Sequence, residues 1–431
     1  MNTFIQGISY RNEVMSMLFV ANELKILMST LSQTFILEAA RFNPTFFTRE
    51  RKMTFSQIVL FILNGFNTST QAALNRFFHD SLDKRDSMSQ QAFSKARSHF
   101  DHSPFEYFFR DQTMRRFSGE HEIRLLHGLQ IFAIDGSCIA LPDMPKLLDA
   151  FGGTGRNASS PTAKISLLYD VMNDFIVDAV IDRAGSSERD FALAHIEKLL
   201  NIKGAEKRLL IFDRGYPSAE LIEELESKGF YYLMRVKSKW NLQVDEVSSQ
   251  DSVIELNDKT QLRVVKFQLP SGETETLISN LFELGFEKFP ELYFKRWPVE
   301  TKYDVLKNKL ELENFTGYTK NVILQDFWAT MYLSNMAAIA KEEANADVQK
   351  ERENKKNRYE YVPNLSQVIA TLREYLARAC FAKSPEERVS YLNFIMAAIK
   401  RSVVPIRPNR TIQRPASPRK SKFHHNRKPI R

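Results

Sequence analysis

Cysteine is almost missing from this chain: Cys138 and Cys380 are the only two in 431 residues. That excludes a disulfide framework and a cysteine-rich zinc site, and it fits work in a reducing cytoplasm. Long apolar runs are missing too. None approaches the ~18 residues of a membrane span. The N-terminus lacks a basic segment followed by an apolar one and a small-residue cleavage site, so neither membrane insertion nor secretion is expected. No Gly-rich phosphate loop bearing a lysine occurs, which argues against ATP use. Gly152-Gly-Thr-Gly155 reads as a flexible loop. Acidic residues are absent from Arg401 onward, where Lys and Arg recur among prolines. Such a segment cannot build a core, and it reads either as a basic arm along DNA or as a solvated tail.

What remains is a globular composition, 43% apolar, in a chain long enough for two or three domains. The net charge of +8 and a pI near 9.2 point weakly to a polyanionic partner. Residues 1–125 read as helical. Within them Ser89-Gln-Gln-Ala-Phe-Ser-Lys-Ala-Arg97 reads as a capped helix with Lys95 and Arg97 exposed. A small polar helix ending in basic residues can enter a DNA groove; a solvated helix face is the alternative.

From residue 126 the pattern changes. Gln130–Ile134 is a continuous apolar run, read as a central strand that ends at Asp135-Gly136-Ser137. Two strands at Ala163–Met172 and Phe175–Ile181 meet at the turn Asn173-Asp174. A helix at Arg189–Leu200, a strand at Arg208–Phe212 ending at Asp213, a helix at Ser218–Lys228 and a strand at Phe230–Val236 follow. This succession predicts an α/β fold, a ribonuclease H-like mixed sheet with helices on both faces. Asp135 and Asp213 fall at the carboxyl ends of central strands, where such sheets place ligand-binding groups, although each is also a suitable turn residue. Alternating segments over about 238–290 predict a β-rich insertion. Helices are expected at Asn321–Ala344, Leu365–Ala379 and Glu387–Lys400, with the charged stretch Asn345–Tyr359 as a surface connection. The domains read as 1–125, 126–318, 319–400 and a basic tail, 401–431.

One stretch ties these parts together: Glu291-Leu-Tyr-Phe-Lys-Arg-Trp-Pro-Val-Glu-Thr-Lys-Tyr-Asp-Val-Leu-Lys307. Pro298 suits the first helical position. Val299, Tyr303, Leu306 and Leu310 then form an apolar stripe, and Glu300 and Lys307 lie about 20° apart on its flank. An ordinary amphipathic helix would look the same. The spacing Tyr293-x2-Arg296-x3-Glu300-x6-Lys307, followed by Leu310-Glu-Leu-Glu-Asn-Phe-Thr-Gly317 and preceded by Asp135 and Asp213, resembles the YREK signature of the DDE transposases of bacterial insertion sequences, in the family named after insertion sequence four.

The resemblance implies that Asp135, Asp213 and Glu300 are the catalytic, metal-binding triad. Carboxylates that converge repel one another and so hold cations, and oxygen ligands select Mg²⁺, with Mn²⁺ as a substitute. Two such ions about 4 Å apart suit in-line phosphodiester cleavage and strand transfer. Tyr293, Arg296 and Lys307 would contact phosphates, and Trp240 and Trp297 are candidates for stacking on an unpaired base. The N-terminal region, with Lys95 and Arg97, would bind terminal inverted repeats. The partners implied are double-stranded DNA, at element ends and target, and a second copy of the chain as a homodimer; the location implied is the cytoplasm, on the nucleoid. A non-catalytic relative that only occupies the repeats is the alternative, and a nuclease that hydrolyses without joining is another.

Overall fold

The computed structural model describes residues 18–49, 51–65, 68–119, 122–256, 260–269 and 271–407. The chain divides into two compact units. One comprises Thr113–Ala140 and Leu148–Val305; the other comprises Met1–Gln112, Leu141–Leu147 and Leu306–Arg431.

The first unit is built on a mixed sheet of nine strands among the described residues. Its centre is β1 (Gln130–Ala140). Ile131, Phe132, Ala133 and Ile134 are each at most 1% exposed, so an uninterrupted apolar run lies covered on both faces. A short β2 (Gly153–Thr154) pairs with the start of β3 (Ser160–Asp170). β3 pairs antiparallel with β1 and with β4 (Phe175–Arg183). The turn between β3 and β4 is closed by Asp174 at φ 52°, a left-handed conformation that a short polar side chain tolerates. On the other side of β1, β5 (Arg208–Phe212) and β6 (Tyr231–Arg235) continue the sheet in parallel. The order β4-β3-β1-β5-β6, three antiparallel strands followed by two parallel ones, is the expected ribonuclease H-like order. Helices Glu188–Leu200 and Ala219–Ser227 supply the crossovers, each started by a serine (Ser187, Ser218) whose hydroxyl accepts a backbone N–H.

The β-rich stretch is not a separate layer. β7 (Asp251–Leu256), β8 (Thr260–Gln268) and β9 (Thr274–Ser279) form an antiparallel meander. β9 pairs with β6 through Leu233↔Ser279 to Arg235↔Leu277, so the meander prolongs the central sheet. Leu277, Val265, Leu233, Leu209 and Ile211 then form one core with Phe289, Leu292 and Tyr293 of the helix Phe289–Phe294. Full burial of Phe289 and Leu292 contributes about 1.5–3 kcal/mol each and holds this helix on the sheet.

The second unit is helical. Phe55–Asn64 starts with a complete capping box, Thr54 with Gln57, and stops at Gly65, whose φ of 61° favours glycine. The long helix Lys320–Arg352 runs through the segment expected to be a connection. Its last turns are anchored: Val348 is 1% exposed, Asp347 pairs with Lys400 at 3.1 Å, and the Gln349 amide donates to Tyr361 O at 2.8 Å. Leu365–Cys380 and Pro385–Arg401 are helices as expected. The expected tail does not begin at residue 401. Arg401 ends a helix, and Val403–Pro405 pairs antiparallel with Tyr361–Pro363. Residues 408–431, most of the expected basic tail, lie outside the described residues, as do residues 1–17 of the N-terminal region expected to be helical.

Candidate active site

β1 does not end at Asp135. It continues extended to Ala140, with Asp135 opposite Leu167 and Gly136 opposite Ser166 of β3, which removes the reading of Asp135 as a turn residue. Its parallel pairing with β5 stops earlier, at Ala133↔Ile211. Asp135 therefore stands where β1 and β5 have parted. Asp213 directly follows Phe212, the last residue of β5. Its carbonyl accepts the Tyr216 N–H at 3.1 Å in a tight turn, while its carboxylate accepts the Tyr293 hydroxyl at 3.3 Å.

Glu300 comes from the first turn of the helix Trp297–Asp304. Arg296, the residue before that helix, donates from Nη2 to Glu300 Oε1 at 2.6 Å, and its Nη1 lies 3.9 Å from Asp135 Oδ2. Tyr303, one turn after Glu300, donates its hydroxyl to the Asp135 carbonyl at 2.6 Å. The two consecutive helices Phe289–Phe294 and Trp297–Asp304 thus reach both aspartates: Tyr293 touches Asp213, and Arg296 and Tyr303 touch Asp135.

The electrostatics follow from this geometry. Burial raises the Asp135 carboxyl to about 6; the Arg296 guanidinium and the Gly136 N–H oppose the shift, and the Glu300 and Asp213 carboxylates add to it. The Tyr293 hydroxyl is raised by burial and by Asp213. Burial works against the charge of Arg296, but its hydrogen bond to Glu300 and the neighbouring Tyr293 and Asp213 hold it protonated, above its ordinary value. Arg296 is only 8% exposed, and its Nε has no hydrogen-bond partner.

The three carboxylates of the expected triad are thus gathered within electrostatic reach, but not onto an ion-sized point. Among the described residues, no three His, Cys, Asp or Glu side chains come close enough to enclose a metal ion. The reason is visible: like charges repel, and the cation between Asp135 and Glu300 is Arg296. The donor set itself, three carboxylates on rigid elements with one of them poorly compensated, suits a hard divalent cation.

The other predicted residues fall on both units. Trp297 is 51% exposed, and Trp240 is half-buried with Nε1 donating to Pro217 O at 3.2 Å. Lys307, Lys95 and Arg97 belong to the helical unit. Lys307 sits on a π-type turn, Val305–Lys309, 4.0 Å from Glu313, so the α-helix expected to carry it stops at Asp304. Lys95 is exposed. Arg97 is not: it is 2% exposed, with Nε donating to Gln325 at 2.5 Å, Nη2 to Asp326 at 2.8 Å and Nη1 to Thr316. A guanidinium consumed in this way holds helices together and is withdrawn as a DNA contact. Two other carboxylates of this unit are engaged elsewhere: Asp170 accepts from Gln130 and Asn173, and Asp174 pairs with Lys302 at 2.6 Å. Sequence reasoning missed Tyr303, which reads as one more member of an apolar stripe.

Residues 126–336 match the family described as the transposase DDE domain. The putative transposase InsZ of Escherichia coli (strain K12) is 29% identical over 146 residues, 33% of this chain and 47% of that protein. The probable transposase for insertion sequence element IS5377 of Geobacillus stearothermophilus is 24% identical over 138 residues, 28% of this chain and 37% of the relative. The putative transposase for insertion sequence element IS4SA of Synechocystis sp. (strain ATCC 27184 / PCC 6803 / Kazusa) is 26% identical over 127 residues, 27% of this chain and 37% of the relative. The chain thus matches less than half the length of each relative. Among solved structures, the cryo-EM structure of the piggyBac transposase synaptic complex with hairpin DNA aligns at a TM-score of 0.48 and 10% identity, over 82% of this chain and 79% of that one. The matched span, residues 126–336, includes Asp135, Asp213 and Glu300, and the relatives so matched are described as insertion-sequence transposases, so this part of the chain is similar to the transposase DDE domain.

Proposed function

We propose that this chain is a transposase that binds the terminal inverted repeats of an insertion sequence and cuts and joins DNA there with two Mg²⁺ ions, for which Mn²⁺ can substitute. The observation that carries the reading is the reach of the helices around Glu300 to both aspartates, through Tyr293 to Asp213 and through Arg296 and Tyr303 to Asp135. Asp135, Asp213 and Glu300 would hold the ions, which when bound activate the attacking hydroxyl and neutralise the departing oxygen. Arg296 would leave its place between Asp135 and Glu300 and turn its planar donors to a phosphate, the geometry a guanidinium matches best. Tyr293 would hold Asp213 in place while offering its hydroxyl edge to the same strand. Trp297, half-exposed beside them, offers a face for an unpaired base. Lys307, Lys95 and the basic C-terminal segment are further candidate phosphate contacts, and DNA at both element ends implies a homodimer in the complex.

The other reading is a relative that binds repeats without cutting. Arg296 standing where a cation would lie favours it. The test is cleavage of a labelled duplex carrying the element's own terminal repeat, in Mg²⁺ and in Mn²⁺, by the wild type and by Asp213→Asn. Loss of a metal ligand should lower cutting on the order of a hundredfold or more with repeat binding retained. Equal binding by both proteins with no cutting in either metal would establish the non-catalytic reading instead.

A further inference from the structure

Behind Asp135 lies a run of polar groups for which neither the family match nor the triad has a use. Asp178 on β4, His195 on the helix Glu188–Leu200 and Ser166 on β3 are 2%, 0% and 0% exposed. His195 Nδ1 lies 2.7 Å from Asp178 Oδ2, and its Nε2 lies 3.0 Å from Ser166 Oγ. Ser166 in turn donates to the main-chain carbonyl of Asp135 at 3.2 Å. The Ser–His–Asp order invites a nucleophilic role, but a serine shut from solvent, with its one proton given to a carbonyl, cannot reach a substrate.

The same carbonyl has a second donor. The Tyr303 hydroxyl reaches it at 2.6 Å and also accepts the Leu167 N–H. Asp135 and Leu167 are paired residues of β1 and β3, so this hydroxyl reaches the ladder at that pair. One peptide oxygen therefore accepts two side-chain hydroxyls, one from the sheet and one from the helix that bears Glu300. Buried polar groups are costly unless they are fully satisfied, and these satisfy one another at one point, the backbone of Asp135.

We infer that Tyr303 and the Asp178–His195–Ser166 chain are positioning residues that set the Asp135 carboxylate against the Glu300 helix for cation binding. The inference rests on the proposed reading of Asp135, Asp213 and Glu300 as metal ligands. Groups that orient metal ligands typically change affinity 10–100-fold when lost. The test uses the full chain and Mn²⁺ alone, with free ion followed by electron paramagnetic resonance and folding followed by thermal melting. Tyr303→Phe keeps the ring and removes only the hydroxyl. It should weaken Mn²⁺ binding about tenfold or more, with Ser166→Ala moving in the same direction. Ile196→Val, a core change beside His195, should lower the melting temperature and leave Mn²⁺ affinity alone, which separates positioning from general loss of stability. Wild-type affinity in folded Tyr303→Phe and Ser166→Ala overturns the inference; if Tyr303→Phe does not fold, Ser166→Ala decides. A wild-type affinity that Asp213→Asn leaves unchanged overturns the metal-ligand reading itself, and the inference with it.

Discussion

At the scale of single residues, Asp135 holds an uncomfortable charge. Burial raises its carboxyl from 3.8 to about 6, and Arg296 compensates only in part. The sign is that of a raised acid. Below pH 3.8 both folded and unfolded chains carry the proton and nothing is lost. As pH climbs through about 6 the unfolded chain ionises first, and the folded state loses stability. Asp135→Asn, which carries no charge to desolvate, should therefore stabilise the metal-free chain at pH 7 by about 1–3 kcal/mol. Thermal melts in chelator, run from pH 4 to pH 7, should show the gap opening with rising pH. A gap that stays constant across that range would mean that the carboxyl is not penalised in the fold. In the proposed reading, the charge that burial makes costly at Asp135 is the one a metal ion would relieve.

At the scale of elements, the helix Lys320–Arg352 organises its unit, and it too carries a buried acid. Glu343 is 6% exposed and accepts the Val20 N–H at 3.0 Å, tying the helix Leu18–Leu31 to the long one. Burial raises its carboxyl to about 7, and Asp347 contributes to the shift. By the same sign, stability is full below pH 4.5 and is lost as pH passes through about 7. Glu343→Gln keeps an oxygen for the Val20 N–H without the charge. It should raise the melting temperature at pH 8 and leave it unchanged at pH 4.5. A lower melting temperature at pH 8 would show that the ionised form is the one the helix pair needs. Arg97 is the counterpart with its charge satisfied: its helix ends in basic residues, but packing against the Gln325–Asp326 turn turns one of them inward and leaves Lys95 outside.

At the scale of the whole molecule, the basic excess is unevenly spread. Residues 408–431 contain eight Lys or Arg and no Asp or Glu, against a net charge of +8 for the chain. Binding to duplex DNA releases about 0.9 counterion per phosphate neutralised, and this sets the slope of affinity against salt. Truncation after Arg407 leaves the Val403–Pro405 strand in place. It should weaken non-specific duplex binding and flatten that slope by several units, as measured by fluorescence anisotropy between 50 and 300 mM salt. An unchanged slope would remove this segment from the DNA interface. Among the described residues no helix is long and apolar enough to cross a membrane.

Patterns local in the chain were legible from sequence. The apolar run before Asp135, the apolar run before Asp213 and the proline-started helix of Glu300 placed three carboxylates on the correct elements, because strand and helix periodicity are local properties. The ribonuclease H-like order of strands followed from their succession. What needed the tertiary structure was every question of partner. Which edge β9 would join was settled by the free edge of β6, far away in sequence. Charges at 345–352 read as a connection because the cover given by Tyr361 and Lys400 is remote. Tyr303 read as one more core residue of a stripe, and it is buried; only the fold shows that its hydroxyl sits between Asp135 and Leu167. Sequence by itself determined the order of Asp135, Asp213 and Glu300 and the elements that carry them. Tertiary structure alone decided how closely they meet, because separation, burial and the intervening Arg296 arise from contacts between segments that the chain brings together only on folding.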